Sequence, residues 1–504
     1  MQTSCWEKHG GKRPPHDHAA VARAQMRTRA TRCLAVALGA LTLLSPAAGA
    51  GETRRDPRPN IVLILADDAG VETVGAYGGS IATPRLDRLA REGVRFDNAH
   101  ATPLCTPSRV RLLTGRYSFR NYKAFAHLGI DEPTMAKVLQ RAGYRTAVAG
   151  KWQLSGNPLD GVPGSVPRQA GFDEWSVWGG GVDFIDDGCQ HWGPTLDTNG
   201  LRRTFPGEFG SDLVHRFALD FIGRNEHQPF FLFYSMILPH DPWVATPARP
   251  GASAPEQQFE AMVEYLDFLV GDLVDQIDRR GLADNTLVVF VADNGSHVLT
   301  RSLRHGAPVQ GGKSGTTDAG THVPLILRWP GRLAVPATNS QMVDLTDLFA
   351  TIVTAAGQGR AAADSDGYDL MPALVDGAAP RRDAIFMDYA LGWWPFDTVR
   401  YAFTARWKLY DDGRFFDIAT DPLEKSPLQQ AGLPTEAGTV RDRLARVLAD
   451  IGDHPLTLAD PHFKPGFDPD TIDYEAVGLR LKARNSECGD PARAAQPAPS
   501  ATMQ

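Results

Sequence analysis

Cysteine is scarce. Five residues in 504 are too few for a disulfide framework, and a chain this long buries a large core without one. Long hydrophobic runs are scarcer still: past the first fifty residues no segment approaches the roughly 20 apolar residues of a membrane-spanning helix. Excess positive charge is lacking too. The formal net charge is −7; the first fifty residues hold seven Lys/Arg against two Asp/Glu, which leaves −12 for the rest. Such a chain is excluded as a general binder of nucleic acid or anionic membrane, so an anionic substrate must be held by a local cluster of cations. No internal repeat of solenoid length occurs. With 42% hydrophobic and 22% charged residues, the composition is globular, and the length corresponds to roughly three domains.

The first fifty residues read as a secretory signal peptide. Arg23, Arg27, Arg29 and Arg32 precede an apolar run from Cys33 to Leu44, and Ala48-Gly49-Ala50 is a small-x-small cleavage site. The run is too short to span a bilayer comfortably, which predicts an exported protein, periplasmic or extracellular, with no stable membrane anchor. Met26 is an alternative start. Three cysteines then remain, Cys105, Cys189 and Cys488. An odd number points to one that is not simply paired, and Cys189 with Cys488 is a conceivable bridge.

From Pro59 apolar runs alternate with helical patterns, the signature of βαβ units around a mainly parallel sheet. Strands are expected at 60–66, 145–149, 230–237 and 286–292, and helices at 84–92, 134–142, 259–280 and 345–356. Unbroken apolar strands imply burial on both faces. After about Ala378 the pattern changes to short meandering strands at 384–389, 399–404, 407–410 and 414–417, then a helix with its apolar face at Val440, Leu444, Val447, Leu448 and Ile451. The fold class is therefore α/β, a large mainly parallel sheet flanked by helices with a smaller C-terminal antiparallel α+β subdomain. The expected divisions are a leader over 1–50, a catalytic domain over 51–378, the subdomain over 379–487 and a disordered Ala/Pro-rich tail over 488–504.

Each strong strand runs into residues suited to chemistry: Asp67-Asp68, Gly150-Lys151-Trp152-Gln153, Pro239-His240-Asp241 and Asp293-Asn294-Gly295. In open α/β sheets the carboxyl ends of strands form the ligand crevice, so these distant segments are expected to converge. Each pair alone serves equally well as a turn or cap; four together favour a site. Asp67, Asp68, Asp293 and Asn294 offer only hard oxygen donors, which favour Ca²⁺ or Mg²⁺ over zinc. Pro107 suits the first turn of a helix, which sets Cys105 at a helix N-terminus with Arg109 one turn on. A lone cysteine in such a place is more often a buried structural thiol. Gly312-Lys313-Ser314 is not the end of a P-loop, because Ala307 stands where glycine is required and no strand is expected before it.

Cys105-x-Pro107-Ser108-Arg109 resembles the signature of the type I, formylglycine-dependent sulfatases of the alkaline-phosphatase-like superfamily. The resemblance continues through Leu113–Arg116, Gly143–Lys151, Asp293–Gly295, Gly311–Lys313, Asp318–Gly320 and Val323-Pro324. It reaches Asp421-Pro-Leu-Glu424 in the small subdomain and covers about Arg58 to His454 in the right order. It implies a sulfuric ester hydrolase in which Cys105 is oxidised to formylglycine by a formylglycine-generating enzyme, the hydrated aldehyde being the nucleophile. A geminal diol keeps a second hydroxyl that can collapse and expel sulfate, whereas a thiolate adduct would be stable. The resemblance further implies a metal held by Asp67, Asp68, Asp293 and Asn294 against the Cys105-derived group. Arg109, Lys151 and Lys313 would neutralise charge on the sulfuryl group, and His240 would bond the bridging oxygen and protonate the leaving alcohol.

One position departs from the family. Gln153 stands where many members have histidine; its amide can bond the substrate but cannot act as a base near neutral pH. Another group replaces that histidine, elimination is slow, or the proton moves differently; His305 and His322 are the nearest substitutes in sequence. Export and family together suggest a sulfated carbohydrate substrate, and the aromatic stretches 175–184 and 189–193 suit either sugar faces or loop packing. The rival readings are a phosphate or phosphonate ester hydrolase of the same fold and an inactive sulfated-glycan-binding homologue.

Overall fold

The computed structural model describes residues 56, 58–122, 124–157, 162–179, 189–333, 337–379, 381–389 and 399–451. The leader, the tail and Cys488 lie outside them. Ten strands form the main sheet: β1 (Asn60–Ala66), β2 (Val94–His100), β3 (Arg145–Lys151), β4 (Glu174–Trp178), β5 (Thr195–Thr198), β6 (Leu201–Thr204), β7 (Phe230–Ser235), β8 (Thr286–Ala292), β9 (Leu325–Arg328) and β10 (Ala337–Asp344). Their order is β10-β2-β9-β8-β1-β7-β3-β4-β5-β6. The five central strands, β8 to β4, are mutually parallel, while β9 runs antiparallel to both its neighbours and β5 and β6 close the far edge antiparallel. The sheet is thus mixed but mostly parallel. β1, β7 and β8 are buried along their whole length, as unbroken apolar runs require when helices cover both faces.

Register decides which residues meet. Ala66 pairs with Ala292, Leu65 with Ser235 and Ser235 with Gly150. The residues that follow β1, β7 and β8, and the last residue of β3, therefore emerge side by side. Gly150 is required by this closeness: its φ is 110°, and a Cβ there would stand 1.9 Å from the Ser235 carbonyl oxygen.

The flanking helices include α1 (Pro84–Glu92), α2 (Cys105–Thr114), α3 (Met135–Arg141), α4 (Gly210–Arg224), α5 (Pro255–Arg279) and α6 (Leu345–Ala355). α5 starts four residues before the expected Phe259, because Pro255 can open the first turn where its missing N–H costs nothing. α2 is buried at all ten positions, so it has no polar face to present to water. It stops at Gly115, whose φ of 67° lets its N–H reach the Arg111 carbonyl, 2.9 Å away.

A separate four-stranded antiparallel sheet follows: β11 (Ile385–Tyr389), β12 (Val399–Phe403), β13 (Trp407–Tyr410) and β14 (Phe415–Asp417), covered by α7 (Thr435–Ile451). Leu444 is fully buried against it, and Val440, Val447 and Leu448 pack partly buried beside it. Arg111 of α2 ties the two sheets together. It pairs with Asp344 at 2.7 Å and donates to the Phe386 carbonyl at 2.7 Å.

Two sequence readings need correction. Residues 174–178 are a main-sheet strand, not a connection; Trp175 and Trp178 are 5% exposed, and the Trp175 indole donates to Asp197 at 2.7 Å. Glu174–Trp178 is buried from Trp175 onward, but a five-residue run that mixes Glu and Ser with Trp and Val is hard to tell from loop packing by pattern alone. A short strand, Ala307–Gln310, does precede Lys313, paired with Arg301–Arg304; the P-loop remains excluded by Ala307 itself. No helix among the described residues is long and apolar enough to cross a membrane.

Candidate active site

Cys105 opens α2, 3% exposed, in an apolar contact group with Leu104, Tyr122 and Tyr389. Burial pushes its thiol pKa up despite Lys151 and Lys313 nearby, so the unmodified side chain is a protonated thiol and a poor nucleophile. One turn on, Arg109 is 1% exposed. Its Nε and Nη2 both lie 2.8 Å from Asp293 Oδ2, Nη2 is 3.6 Å from Asp67 Oδ1, and Nη1 donates to Ser235 Oγ at 2.6 Å. Ser235 in turn donates to the Lys151 carbonyl at 2.6 Å.

The lysines meet the carboxylates of β1. Lys151 Nζ is 2.7 Å from Asp67 Oδ2, and Lys313 Nζ is 2.6 Å from Asp68 Oδ2. Lys313 Nζ also donates to His240 Nε2 at 3.2 Å. An ammonium has no acceptor, so His240 carries its proton on Nδ1, which points at the Asp241 carbonyl 2.5 Å away. Asp68, at φ 64°, accepts at Oδ1 from Asn294 Nδ2 (2.8 Å), and its N–H donates to Asp293 Oδ1 (3.2 Å).

Three buried carboxylates thus face three cations. Burial raises the Asp67 carboxyl, but nearby positive charge, Lys151 foremost with Arg109 and Lys313, outweighs it and holds Asp67 below the usual carboxylate range. Burial and then the Asp67 charge push Asp293 upward. Neither Asp67 oxygen nor Asn294 Oδ1 accepts a hydrogen bond. Oxygen of Asp67, oxygen of Asp68 and a ring nitrogen of His240 lie within 4.8 Å of one another, an Asp-Asp-His group able to hold a metal ion. Asp67 has only ion pairs to Lys151 and Arg109, and Asn294 Oδ1 has no hydrogen-bond partner; hard oxygens so placed beside crowded carboxylates suit a divalent cation. Asp293 and Asn294 border the same space.

The fold brings together Asp67, Asp68, Arg109, Lys151, His240, Asp293, Asn294 and Lys313, and Cys105 lies near enough for the charges of Lys151 and Lys313 to act on it. Gln153 follows β3, 9% exposed with φ 50°. His305 and His322 do not take the place of the missing histidine. His322 bonds Asp318 at 3.1 Å and the Asp97 carbonyl at 2.8 Å, and His305 lies over Gly78. Sequence reasoning missed Ser235, and it placed Gln190 and His191 only within the stretch 189–193, without tying them to His240 and Asp241. His191 Nε2 donates to the His240 carbonyl at 3.0 Å, and Gln190 donates to the Asp241 carbonyl. Ser235 had a weak signal as the polar end of an apolar strand; Gln190 and His191 had only their place in an aromatic stretch. Cys189, next to them, is disulfide-bonded.

The family profile described as Sulfatase matches residues 59–358. N-acetylgalactosamine-6-sulfatase of Sus scrofa is 33% identical over 390 residues, covering 69% of this chain and 72% of its own. The crystal structure of Ps i-CgsB superposes with a TM-score of 0.67 at 25% identity, covering 84% of this chain and 98% of its own. Phosphonate monoester hydrolase of Agrobacterium radiobacter shares the fold at 19% identity, TM-score 0.57, over 78% of this chain and 95% of its own. The chain belongs to the sulfatase family of the alkaline-phosphatase-like superfamily. It is a sulfuric ester hydrolase.

Proposed function

We propose that this protein is exported and hydrolyses a sulfate ester on a carbohydrate, using formylglycine made from Cys105 and a divalent cation, Ca²⁺ before Mg²⁺, held by Asp67, Asp68, Asp293 and Asn294. The observation that carries the reading is the buried Cys105 at the start of α2, within electrostatic reach of Lys151, Lys313, Asp67 and Asp293, in a cluster where Asn294 Oδ1 and the Asp67 oxygens accept no hydrogen bond. When present, the metal and the oxidised Cys105 supply Lewis-acid polarisation and the nucleophilic oxygen. Arg109, Lys151 and Lys313 balance the three carboxylates one for one, so a bound dication leaves the site positive and suited to an anionic ester.

Lys151 and Lys313 then bind the nonbridging sulfuryl oxygens, with Gln153 as a further amide donor. Arg109 orients Asp293 and, through Ser235, the end of β3. His240 holds its Nε2 toward the site by fixing Nδ1 on the Asp241 carbonyl; once Nε2 also takes up a proton, in place of the Lys313 contact, it can donate that proton to the bridging oxygen of the leaving alcohol. Cys105 is too buried for a modifying enzyme to reach in the folded chain, so a formylglycine-generating enzyme would act before folding ends. Relatives named for a sulfated aminosugar support a carbohydrate substrate.

Mass spectrometry of the Cys105 peptide, after expression with a formylglycine-generating partner, tests the reading together with sulfate and phosphate release from matched aryl esters. An aldehyde and strong preference for sulfate are expected. An unmodified thiol in an active enzyme removes formylglycine from the mechanism, and faster phosphate or phosphonate release favours the rival hydrolase.

A further inference from the structure

The Asp421-Pro-Leu-Glu424 motif forms a turn that follows the last strand of the small sheet, and none of its residues touches the carboxylate cluster. Asp421 builds a turn: its carbonyl accepts from Glu424 N–H at 3.0 Å and its Oδ2 from Ser426 N–H at 2.8 Å. Glu424 adopts φ 54° at the end of that turn, and its side chain is directed inward, 6% exposed. One carboxylate oxygen accepts from Lys408 Nζ at 2.8 Å and the other from Tyr410 Oη at 2.5 Å. Lys408 is 3% exposed, with its ammonium 4.1 Å from the Tyr401 ring centre.

Both partners of Glu424 reach across to one residue of the main domain. Lys408 Nζ donates to the Thr316 carbonyl. The Tyr410 proton is committed to Glu424, so the Thr316 hydroxyl donates to Tyr410 Oη, at 2.8 Å. Thr316 stands three residues after Lys313. On its other side the segment is pinned by Lys313 N–H on the Ser296 carbonyl (2.9 Å) and Ser314 N–H on the Pro103 carbonyl (2.7 Å), two residues before Cys105. Ser314 has φ 70°, and Gly315 N–H closes a turn on the Gly312 carbonyl at 2.8 Å. The backbone that carries Lys313 is therefore held from the core and from the small sheet at once.

A buried lysine–glutamate pair is a poor device for stability, because desolvation offsets most of its attraction. It is a good device for fixing geometry. Two directed donors and acceptors on one residue define the position of that residue more tightly than apolar contact does.

We propose that Glu424 is a positioning residue for sulfate-ester hydrolysis: through Lys408 and Tyr410 it fixes Thr316 and thereby the Lys313 ammonium between Asp68 and His240. The inference rests on Lys313 as a substrate-binding group. It gives the small sheet a part in the reaction although it contributes no group to the carboxylate cluster.

Because the effect is indirect, coupling is the evidence required. kcat/KM for an aryl sulfate and the inhibition constant of inorganic sulfate are measured for full-length Glu424→Gln, Tyr410→Phe, Lys313→Ala and the double variant Lys313→Ala/Glu424→Gln. Glu424→Gln is expected to lower kcat/KM about tenfold and to weaken sulfate inhibition by a similar factor, with Tyr410→Phe losing about threefold. In the Lys313→Ala background Glu424→Gln is expected to change neither constant by more than about twofold. Equal losses with and without Lys313 overturn the proposal, as does full activity of both single variants at Glu424 and Tyr410. Should Glu424→Gln not fold, Tyr410→Phe, which removes one hydroxyl, decides by the same comparison in the Lys313→Ala background. If Lys313→Ala itself retains full kcat/KM, Lys313 is not a substrate group and both readings fall; a large Lys313→Ala loss that adds to the Glu424→Gln loss removes the brace alone.

Discussion

Arg109 and Asp293 form a fully buried ion pair, Nε and Nη2 of one both 2.8 Å from Oδ2 of the other. One sits in the helix that begins with Cys105, the other at the carboxyl end of β8. The pair therefore sets the distance between the cysteine and the carboxylate cluster. Removing the cation alone leaves Asp293 buried without its partner and crowded against Asp67, which keeps only Lys151. Arg109→Ala is expected to lower stability by about 3–5 kcal/mol, read from the midpoint of denaturant unfolding. A midpoint equal to that of the unaltered protein would show that the pair does not hold the site together.

Because the Asp67 oxygens and Asn294 Oδ1 accept no hydrogen bond, metal removal is a sharp test. Treatment with a chelator should abolish turnover and lower the melting temperature, and added Ca²⁺ should restore both. At a free-ion concentration of 100 Kd the stabilisation is about 2.7 kcal/mol. Asp67→Asn should lose the Ca²⁺ response of the melting temperature, a readout independent of activity. A melting curve indifferent to chelator and Ca²⁺ alike would argue that the cations already present suffice.

Cys105→Ala removes one sulfur from an apolar contact group. Turnover of an aryl sulfate should fall below detection while stability changes by no more than about 2 kcal/mol. Activity persisting in the alanine variant would take Cys105 out of the chemistry.

His100 gives a pH dependence of known sign. It is 5% exposed, stacked on His322 at 5.0 Å and edge-on to Phe403 at 4.8 Å. Burial, then the charge of His322, presses its pKa down to about 3; Asp318 and Asp344 oppose this and Lys408 adds to it. The folded state keeps the ring neutral while the unfolded chain titrates near 6.5. Below that pH the unfolded state binds one more proton, and stability falls by about 1.4 kcal/mol per pH unit from this residue. His100→Gln should therefore flatten the loss of unfolding free energy between pH 6.5 and 5. An unchanged slope would assign the acid sensitivity to other groups.

Much of the fold was legible in the sequence. The unbroken apolar runs at 60–66 and 286–292 became the two central strands with those bounds, because burial on both faces leaves no other pattern. The edge of the sheet was not legible: Glu174–Trp178 is short and mixes polar with apolar residues, and the strands beyond it, Thr195–Thr198 and then Leu201–Thr204, are short and polar. His322 sits close to Lys313 in sequence, yet its bonds to Asp318 and Asp97 draw it elsewhere.

The sequence by itself determined the family, the central strands and the residue types gathered at their carboxyl ends, since periodicity and motif spacing are local and survive without coordinates. Tertiary structure alone decided which charges pair. That Arg109 answers Asp293, that Lys313 lies between Asp68 and His240, and that Glu424 reaches Thr316 all depend on register and side-chain direction across segments far apart in the chain. Those distances are set by how buried strands and helices pack, and no local pattern records them.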